Sequence, residues 1–320
     1  MGILLVGFAE DYFSDEQKRA IEEAAGELEV HYKGGADGRL GEVEVALENR
    51  QLLPELPNLR WFQQWGAGAD WLMQHPELAK NDFVLTNVSG VHAVPISEHI
   101  LAYLLAFARG LPRAVRNQTK GVWGRGAAWP ETAPGLSELA GKTMLLLGVG
   151  AIGERTAKLA KGLELRVVGV RRNPERAAAF VDETVGLDGL QGALPDADFV
   201  VLTLPLTRDT HHLIGETELR AMKDTAILVN IGRGGLIDER ALVRALQEGR
   251  IAGAGLDVFE TEPLPETSPL WEMENVIITP HTAGDTPHYD ERALTIFLDN
   301  LRRYGAGQPL THVVDKELGY

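Results

Sequence analysis

Between Lys142 and Asn173 the chain reads KTMLLLGVGAIGERTAKLAKGLELRVVGVRRN, and nothing else in it restricts the fold as tightly. Thr143 to Leu147 is a short apolar run of the kind that forms a buried strand. It leads into Gly148-Val149-Gly150-Ala151-Ile152-Gly153, a GxGxxG turn. A helix-like segment to Gly162 follows, and then a second apolar run, Leu165 to Val170. Strand, glycine turn, helix and strand within about thirty residues make a mononucleotide-binding unit. Each glycine has its own reason: Gly148 permits the tight turn, Gly150 lets the backbone approach a pyrophosphate, and Gly153 lets helix and strand pack closely. The helix start, at Ala151 and Ile152, then faces the phosphates with N–H groups and a partial positive charge. Glycine-rich turns are common, and some methyl-transfer folds use similar loops. The two flanking strands are what make this one a dinucleotide site.

The end of the second strand selects the dinucleotide. An acidic residue there would hydrogen-bond a ribose 2′-hydroxyl and repel a 2′-phosphate. This chain has Arg171 and Arg172 instead, the first eighteen residues past Gly153. A guanidinium presents a planar fork of donors matched to phosphate oxygens. The pair favours NADP (NADPH) over NAD, against the plainer reading of two solvated arginines beside Asn173-Pro174.

The 320 residues suffice for about two domains, each with its own core. A formal charge of −15 argues against nucleic-acid binding, because phosphate backbones would be repelled; the same acidity suits a salty cytoplasm. With no cysteine, the chain has no disulfide, thiol nucleophile or iron–sulfur cluster, and no metal is expected. No run approaches the ~18 apolar residues of a membrane helix. The opening MGILLVGF lacks a basic leader and reads as a first strand. Met1-Gly2 invites a myristoylation reading, but Val6 stands where Ser or Thr is wanted. A cytoplasmic protein is the expectation.

In chain order, Ile3 to Val6 is a strand, and Ser14-x-x-Gln17 is a capping box opening a helix to about Ala25. Apolar runs at Leu28–Tyr32, Val43–Leu47, Leu59–Gln63 and Phe83–Thr86 alternate with polar or helical pieces, the mark of a parallel α/β sheet. Gln64-Trp65-Gly66-Ala67-Gly68-Ala69-Asp70 follows one of these strands directly. Its small residues offer N–H groups to a carboxylate, or form a plain tight turn. Pro95 to Arg109 is apolar almost all round, so as a helix it is buried, between domains or in a subunit interface. Gly110-Leu111-Pro112 stops it, and Gln118 to Gly141 reads as an irregular arm, with Trp123 and Trp129 as packing residues. Strands follow near Phe199–Leu202, Ile227–Asn230, Ala254–Leu256 and Val276–Ile278, with a helix from Glu239 to Gln247 capped by Asp238. Pro287 to Tyr304 is a final amphipathic helix ended by Gly305, carrying the chain back to the first domain.

Three motifs in the second half each stand just beyond a strand. They are Asn230-Ile231-Gly232-Arg233-Gly234-Gly235, Asp257-Val258-Phe259-Glu260-Thr261-Glu262-Pro263-Leu264 and Thr279-Pro280-His281-Thr282-Ala283-Gly284. Strand ends on one sheet edge converge on one crevice, so an Arg, an acid and a His can meet there. Singly, each motif has an ordinary reading: a surface arginine, a solvated glutamate before proline, a packed histidine. Together, in the order GxGxxG, Asn-x-x-Arg-Gly, Asp-Val-Phe-x-x-Glu-Pro and Pro-His-x-Ala-Gly, they resemble the D-isomer-specific 2-hydroxyacid dehydrogenases, over about Gly66 to Tyr304. Pro205-Leu206-Thr207-x-x-Thr210 is similar to that family's cofactor-side loop, and Asn87 and Glu98 also match. The departure is from the NAD-using members, whose acidic residue is replaced by Arg171-Arg172. The chain ends soon after the final helix, so the regulatory C-terminal domain of many phosphoglycerate dehydrogenases is not expected.

The chemistry suits these residue types. As hydride reaches a 2-oxo acid from a nicotinamide ring, the carbonyl oxygen gains charge and needs a proton, which a histidine supplies near operating pH. Glu262 would orient His281 and favour its protonated form. Arg233 would clamp the carboxylate and polarise the carbonyl with paired donors. The resemblance implies these same roles. It implies also that Pro205, Thr210, Ile231 (through its carbonyl), Asp257 and Gly284 contact the cofactor, and that the N–H groups of Ala67 and Gly68 bind the substrate carboxylate. The remaining histidines match no motif and are read as structural or surface.

The expected architecture is α/β, two open parallel-sheet domains: a flavodoxin-like substrate domain (1–98 and 288–320) and a Rossmann cofactor domain (99–287). The expected function is an NADP-dependent 2-oxoacid reductase, working on a small 2-oxo or 2-hydroxy acid as a homodimer. Two other readings share the fold. One is a dinucleotide-sensing, corepressor-like binding protein, for which the acidic charge offers nothing to recruit partners. The other is a formate- or phosphite-type dehydrogenase, in which formate has no carbonyl for a Glu–His pair to protonate.

Overall fold

Five apolar runs near the start of the chain become five short parallel strands: β1 (Ile3–Val6), β2 (Glu29–Tyr32), β3 (Val43–Leu47), β4 (Trp61–Gln63) and β5 (Val84–Thr86). Their order in the sheet is β2-β1-β3-β4-β5, the flavodoxin-like arrangement. The structure is a computed structural model that describes residues 2–36, 38–124, 136–176 and 178–319. β1 is buried along its whole length, as a strand covered on both sheet faces must be. Helix α1 (Asp15–Ala25) starts at the anticipated capping box: the Ser14 hydroxyl accepts from the Gln17 N–H, and the Gln17 side chain accepts from the Ser14 N–H. A short helix, α2 (Pro76–Ala79), precedes β5.

A second unit spans His92–Asp285. It opens with α3 (Ala93–Ala108) and α4 (Leu111–Thr119). Further along the chain come β6 (Thr143–Leu147), α5 (Ala151–Gly162), β7 (Arg166–Val170), β8 (Glu183–Val185), α6 (Leu190–Ala193) and β9 (Phe199–Leu202). The unit closes with α7 (Glu216–Ala221), β10 (Ile227–Asn230), α8 (Glu239–Gln247), β11 (Gly253–Leu256) and β12 (Val276–Ile278). The seven strands are parallel in the order β12-β11-β10-β9-β6-β7-β8. Strand order therefore reverses between β6 and β9, the switch point at which a doubly wound sheet opens a crevice. Leu145, Leu147, Val200 and Leu228 pack on one face of this sheet, and Met144, Leu146, Val201 and Val229 on the other, beneath α3 and α5. The Asp238 side chain caps α8 by accepting from the Ala241 N–H.

The last helix, α9 (Tyr289–Gly305), belongs to the first unit, where Ala293, Leu294, Phe297 and Leu301 join the core beside α1. The first unit is thus discontinuous, residues 1–91 and 286–320. Its boundaries lie earlier than the expected 98/99 and 287/288. α3 is one continuous helix packed on α5, so the chain has changed units before the helix begins.

Three details depart from the sequence reading. Gly110, at φ 60°, does end α3, but Pro112 then stands in the first turn of α4, where its missing N–H has no partner to lose. β8 adds an edge strand to the second sheet. Trp123, read as a packing residue, is 91% exposed, while Trp129 lies outside the described residues. Among the described residues, no helix is long and apolar enough to cross a membrane.

Candidate active site

The GxGxxG turn follows β6 at the switch point. Gly148 adopts φ 101°, a left-handed conformation that L side chains rarely take. A Cβ on Gly153 would stand 2.2 Å from the Gly148 carbonyl oxygen, so only glycine lets α5 start this close to the strand. A Cβ on Gly150 would meet nothing within 4 Å. Ala151 and Ile152 form the first turn of α5, whose opening N–H groups have no partner within the helix. A pyrophosphate fits this end on both charge and hydrogen-bond grounds.

Arg171 and Arg172 follow β7 directly. The Arg171 N–H bonds the Val185 carbonyl at 3.0 Å, and its Nη1 donates to the Arg176 carbonyl at 3.0 Å, which shapes the turn. Arg172 is exposed. Across the switch point, the Thr203 hydroxyl donates to the Gly148 carbonyl at 2.7 Å and so ties the end of β9 to the glycine turn. In the loop that follows, the Thr210 hydroxyl donates to the Pro205 carbonyl at 2.8 Å and accepts from the Thr207 N–H at 2.8 Å. Thr210 is buried, and its side chain shapes this loop from within.

β10, β11 and β12 are neighbours, so the three motifs beyond them share one edge. After β10, the Asn230 side chain donates to the Arg233 carbonyl at 2.8 Å and accepts from the Gly232 N–H at 3.1 Å, folding the turn that carries Arg233; Ile231 is buried. The Arg233 Nη1 donates to the Gly232 carbonyl at 2.8 Å. After β11, Asp257 is buried at 2% exposure, and its carboxylate accepts from the Thr279 hydroxyl, the Thr282 N–H at 2.9 Å and the Ala283 N–H at 3.0 Å. One carboxylate thus holds the loop after β12 at three points. The same residue's carbonyl accepts from the His281 N–H at 2.8 Å, and His281 is held at φ 57°, uncommon for a non-glycine residue.

His281 Nδ1 lies 2.7 Å from a Glu262 carboxylate oxygen, whose other oxygen accepts from the Phe259 N–H at 3.0 Å. The glutamate is thus fixed by the main chain and the imidazole is fixed by the glutamate. The imidazole keeps half of its side chain exposed.

Two histidines that match no motif also stand here. His99 on α3 lies 3.2 Å, through Nε2, from the Thr279 hydroxyl, which also meets the Tyr103 hydroxyl at 2.6 Å. Burial pushes the His99 imidazole below its ordinary pKa and the Tyr103 phenol above its own. His92, at the start of α3, lies against Gly284: a Cβ there would stand 2.8 Å from the His92 ring. Its pKa is lowered, by burial first and then by the Arg233 charge, with Asp285 opposing and His281 adding to the depression.

In the first unit, the loop after β4 is knitted by its carbonyls. Gln64 Nε2 donates to the Gly66 and Gly68 carbonyls at 3.1 and 2.5 Å, and the Asn87 amide donates to the Ala67 carbonyl at 2.7 Å. Glu98, by contrast, pairs with Arg155 at 3.6 Å between α3 and α5.

A doubly wound sheet with a glycine turn at its switch point is the architecture of a dinucleotide-binding domain, and an Arg, an acid and a His stand on one strand edge of it. The sequence profile of the D-isomer specific 2-hydroxyacid dehydrogenase NAD binding domain matches residues 101–283, and the chain belongs to that family. It is 38% identical over 265 residues to a glyoxylate reductase of Korarchaeum cryptofilum, covering 82% of this chain and 78% of that one. Among solved structures, it is similar to a D-isomer specific 2-hydroxyacid dehydrogenase from Xanthobacter autotrophicus in complex with NADPH and MES (TM-score 0.82, 33% identity, covering 100% and 99% of the two chains). It is equally similar in fold to an NADPH-dependent glyoxylate/hydroxypyruvate reductase from Sinorhizobium meliloti in complex with NADP and sulfate (TM-score 0.82, 29% identity, 100% of both chains).

Proposed function

We propose that the chain is an NADP-dependent 2-oxoacid reductase, in which His281 is the general acid, Glu262 its support and Arg233 the substrate clamp. The observation that carries this reading is the 2.7 Å contact between His281 Nδ1 and Glu262 on a loop fixed by Asp257. With Nδ1–H donated to the carboxylate, the ring's other nitrogen, Nε2, gives the proton that the carbonyl oxygen needs and takes it back in the reverse direction. The bound nicotinamide supplies the hydride. Arg233 binds the carboxylate of the oxo acid and draws electron density towards the carbonyl oxygen through a second donor.

In the same proposal, the Ala67 and Gly68 N–H groups of the first unit receive the substrate carboxylate, and the second unit carries the cofactor. There, Gly148, Gly150, Ala151, Ile152 and Gly153 would hold the pyrophosphate, Arg171 and Arg172 the 2′-phosphate, and Pro205, Thr210, Ile231 and Gly284 would contact the dinucleotide. Asp257, which holds the His281 loop, would contact the nicotinamide. The NADPH and NADP in the similar structures support the choice of dinucleotide. The exposed Leu105, Leu111 and Val115 on α3 and α4 support a homodimer, and a cytoplasmic location would supply the NADPH.

His281→Asn should cut 2-oxoacid turnover by ~10²–10⁴-fold, the range for a lost general acid, with NADPH binding retained. Near-normal turnover would remove His281 from the mechanism. Arg171→Ala should raise the KM for NADPH about tenfold and leave that for NADH alone, the effect of one lost charge-assisted contact. A preference for NADH in the native chain would defeat the arginine argument.

A further inference from the structure

Trp65 has three polar atoms, and a different side chain holds each. Its N–H donates to the Glu48 carboxylate at 2.7 Å, its indole N–H donates to the Asp290 carboxylate at 3.1 Å, and its carbonyl accepts from the Tyr289 hydroxyl at 2.5 Å. The parallel ladder ends one residue earlier, with the Gln64 N–H on the Thr86 carbonyl at 2.8 Å, so past β4 side chains take over the main chain. Glu48 reaches Trp65 from a backbone at φ 58°, and Asn49 follows at φ 64°. Two successive non-glycine residues in the left-handed region persist only where the surroundings fix them. The next three carbonyls are also held from outside the loop. Gln64 holds those of Gly66 and Gly68, the first with the Val88 N–H at 3.4 Å as a further donor, and Asn87 holds that of Ala67. The only cis peptide bond among the described residues is Glu262-Pro263, and in a planar trans peptide the C=O and the following N–H point in opposite directions. The N–H groups from Gly66 to Ala69 are therefore directed away from the side chains that hold the preceding carbonyls. Gly66-Ala67-Gly68-Ala69 carries no side chain longer than a methyl, and its two glycines lose much freedom on ordering, so the loop depends on these outside grips.

We propose that Tyr289, the first residue of α9, is a positioning residue for substrate binding: through the Trp65 carbonyl it sets the start of the loop whose N–H groups take the oxo-acid carboxylate. The inference rests on the 2-oxoacid reading and on the place that reading gives to Ala67 and Gly68. Burial first, and then the nearby Glu48, Asp290 and Tyr12, push the Tyr289 phenol up to about 12, so it stays a donor throughout the neutral range. Tyr12 is its natural comparison. That phenol is likewise pushed up to about 12 and packs in the same aromatic cluster as Phe8, Phe13 and Trp65, but its hydroxyl donates to the Asp290 carboxylate, at 2.7 Å, and not to a loop carbonyl.

The test compares the native chain with Tyr289→Phe and Tyr12→Phe, each of which loses one hydroxyl and keeps its ring. It measures glyoxylate reduction with NADPH, the Ki of oxamate, the Kd of NADPH by fluorescence, and Tm. In Tyr289→Phe the KM for glyoxylate and the Ki of oxamate should rise together by about fivefold, the effect of one ordinary hydrogen bond, with kcat within about twofold and the NADPH Kd unchanged. In Tyr12→Phe the KM and the Ki should stay within about twofold of the native values. An unchanged KM in Tyr289→Phe would overturn the inference while leaving the 2-oxoacid reading intact. Equal rises in the two variants, or a fall in Tm with parallel losses of NADPH binding and kcat in Tyr289→Phe, would make Tyr289 a packing residue and also overturn it. Failure of the native chain to reduce any of a panel of 2-oxo acids would remove the reading itself, and the inference with it.

Discussion

The loops after β4 and β12 solve one problem in opposite ways. After β4, the Gln64 side chain seizes two main-chain carbonyls, and in the proposed reading the loop offers its main-chain N–H groups. After β12, the Asp257 side chain seizes two main-chain N–H groups, so the loop presents an imidazole. Each depends on one buried polar residue that lies outside the stretch doing the presenting. If the first loop binds substrate as proposed, main-chain donors would suit a group common to all 2-oxo acids, because they would bind a carboxylate whatever the loop's own side chains are. The proton transfer proposed for His281 would need a titratable group, and there the side chain would be irreplaceable.

The sharpest way to break this contrast is Asp257→Ala. It strips the acceptor from three donors around a residue that is 2% exposed. At 1–3 kcal/mol for each unsatisfied buried group, partly relieved by water, the second unit should lose about 3 kcal/mol in urea unfolding. A loss under about 1 kcal/mol would mean that the loop holds its shape without the carboxylate. Gln64→Leu comes next. It removes both donations to the loop carbonyls and the acceptor for the Trp71 indole N–H at 2.7 Å. The KM for a 2-oxo acid should rise about tenfold with kcat little changed, the pattern for weakened ground-state binding. An equal fall in kcat would place the loop in the transition state and narrow the contrast.

The smallest effect is in pH. His92 and His99 both have pKa values lowered in the folded chain, chiefly by burial. The unfolded chain binds their protons more readily, so the stability these groups contribute is present above about 6.5 and is lost as pH falls through the folded values. Hydrogen exchange on the native chain, corrected for the intrinsic pH dependence of amide exchange, should show the second unit loosening as pH falls below about 6.5, while ordinary carboxylates are still ionised. Protection factors that stay flat as pH falls below about 6.5 would show that neither ring is held neutral by the fold.

Much of this was legible in the sequence because it is written locally. Buried parallel strands are continuous apolar runs, so Thr143–Leu147 and Phe199–Leu202 match β6 and β9. The capping box at Ser14 and the cap at Asp238 are likewise short-range chemistry. β8 was not legible: Glu183–Val185 is three residues at a sheet edge, too short and too polar for an apolar run. α4 hid behind Gly110-Leu111-Pro112, which both stops one helix and starts another. The hold of Asp257 on the His281 loop, and the place of His92 beside Gly284, come from segments brought together only by the sheet, and neither leaves a spacing to read. The nearest sequence signal is that His92 and His99 both fall at or within the helix leading into the second unit.

The most direct test of the central claim is a crystal structure of the native chain with NADPH and oxamate, an unreactive analogue of a 2-oxo acid. The expected arrangement has His281 Nε2 and the Arg233 guanidinium both about 2.6–3.2 Å from the analogue's carbonyl oxygen, with Nδ1 still on Glu262. An imidazole turned away from that oxygen, or separated from Glu262 in the closed complex, would contradict it.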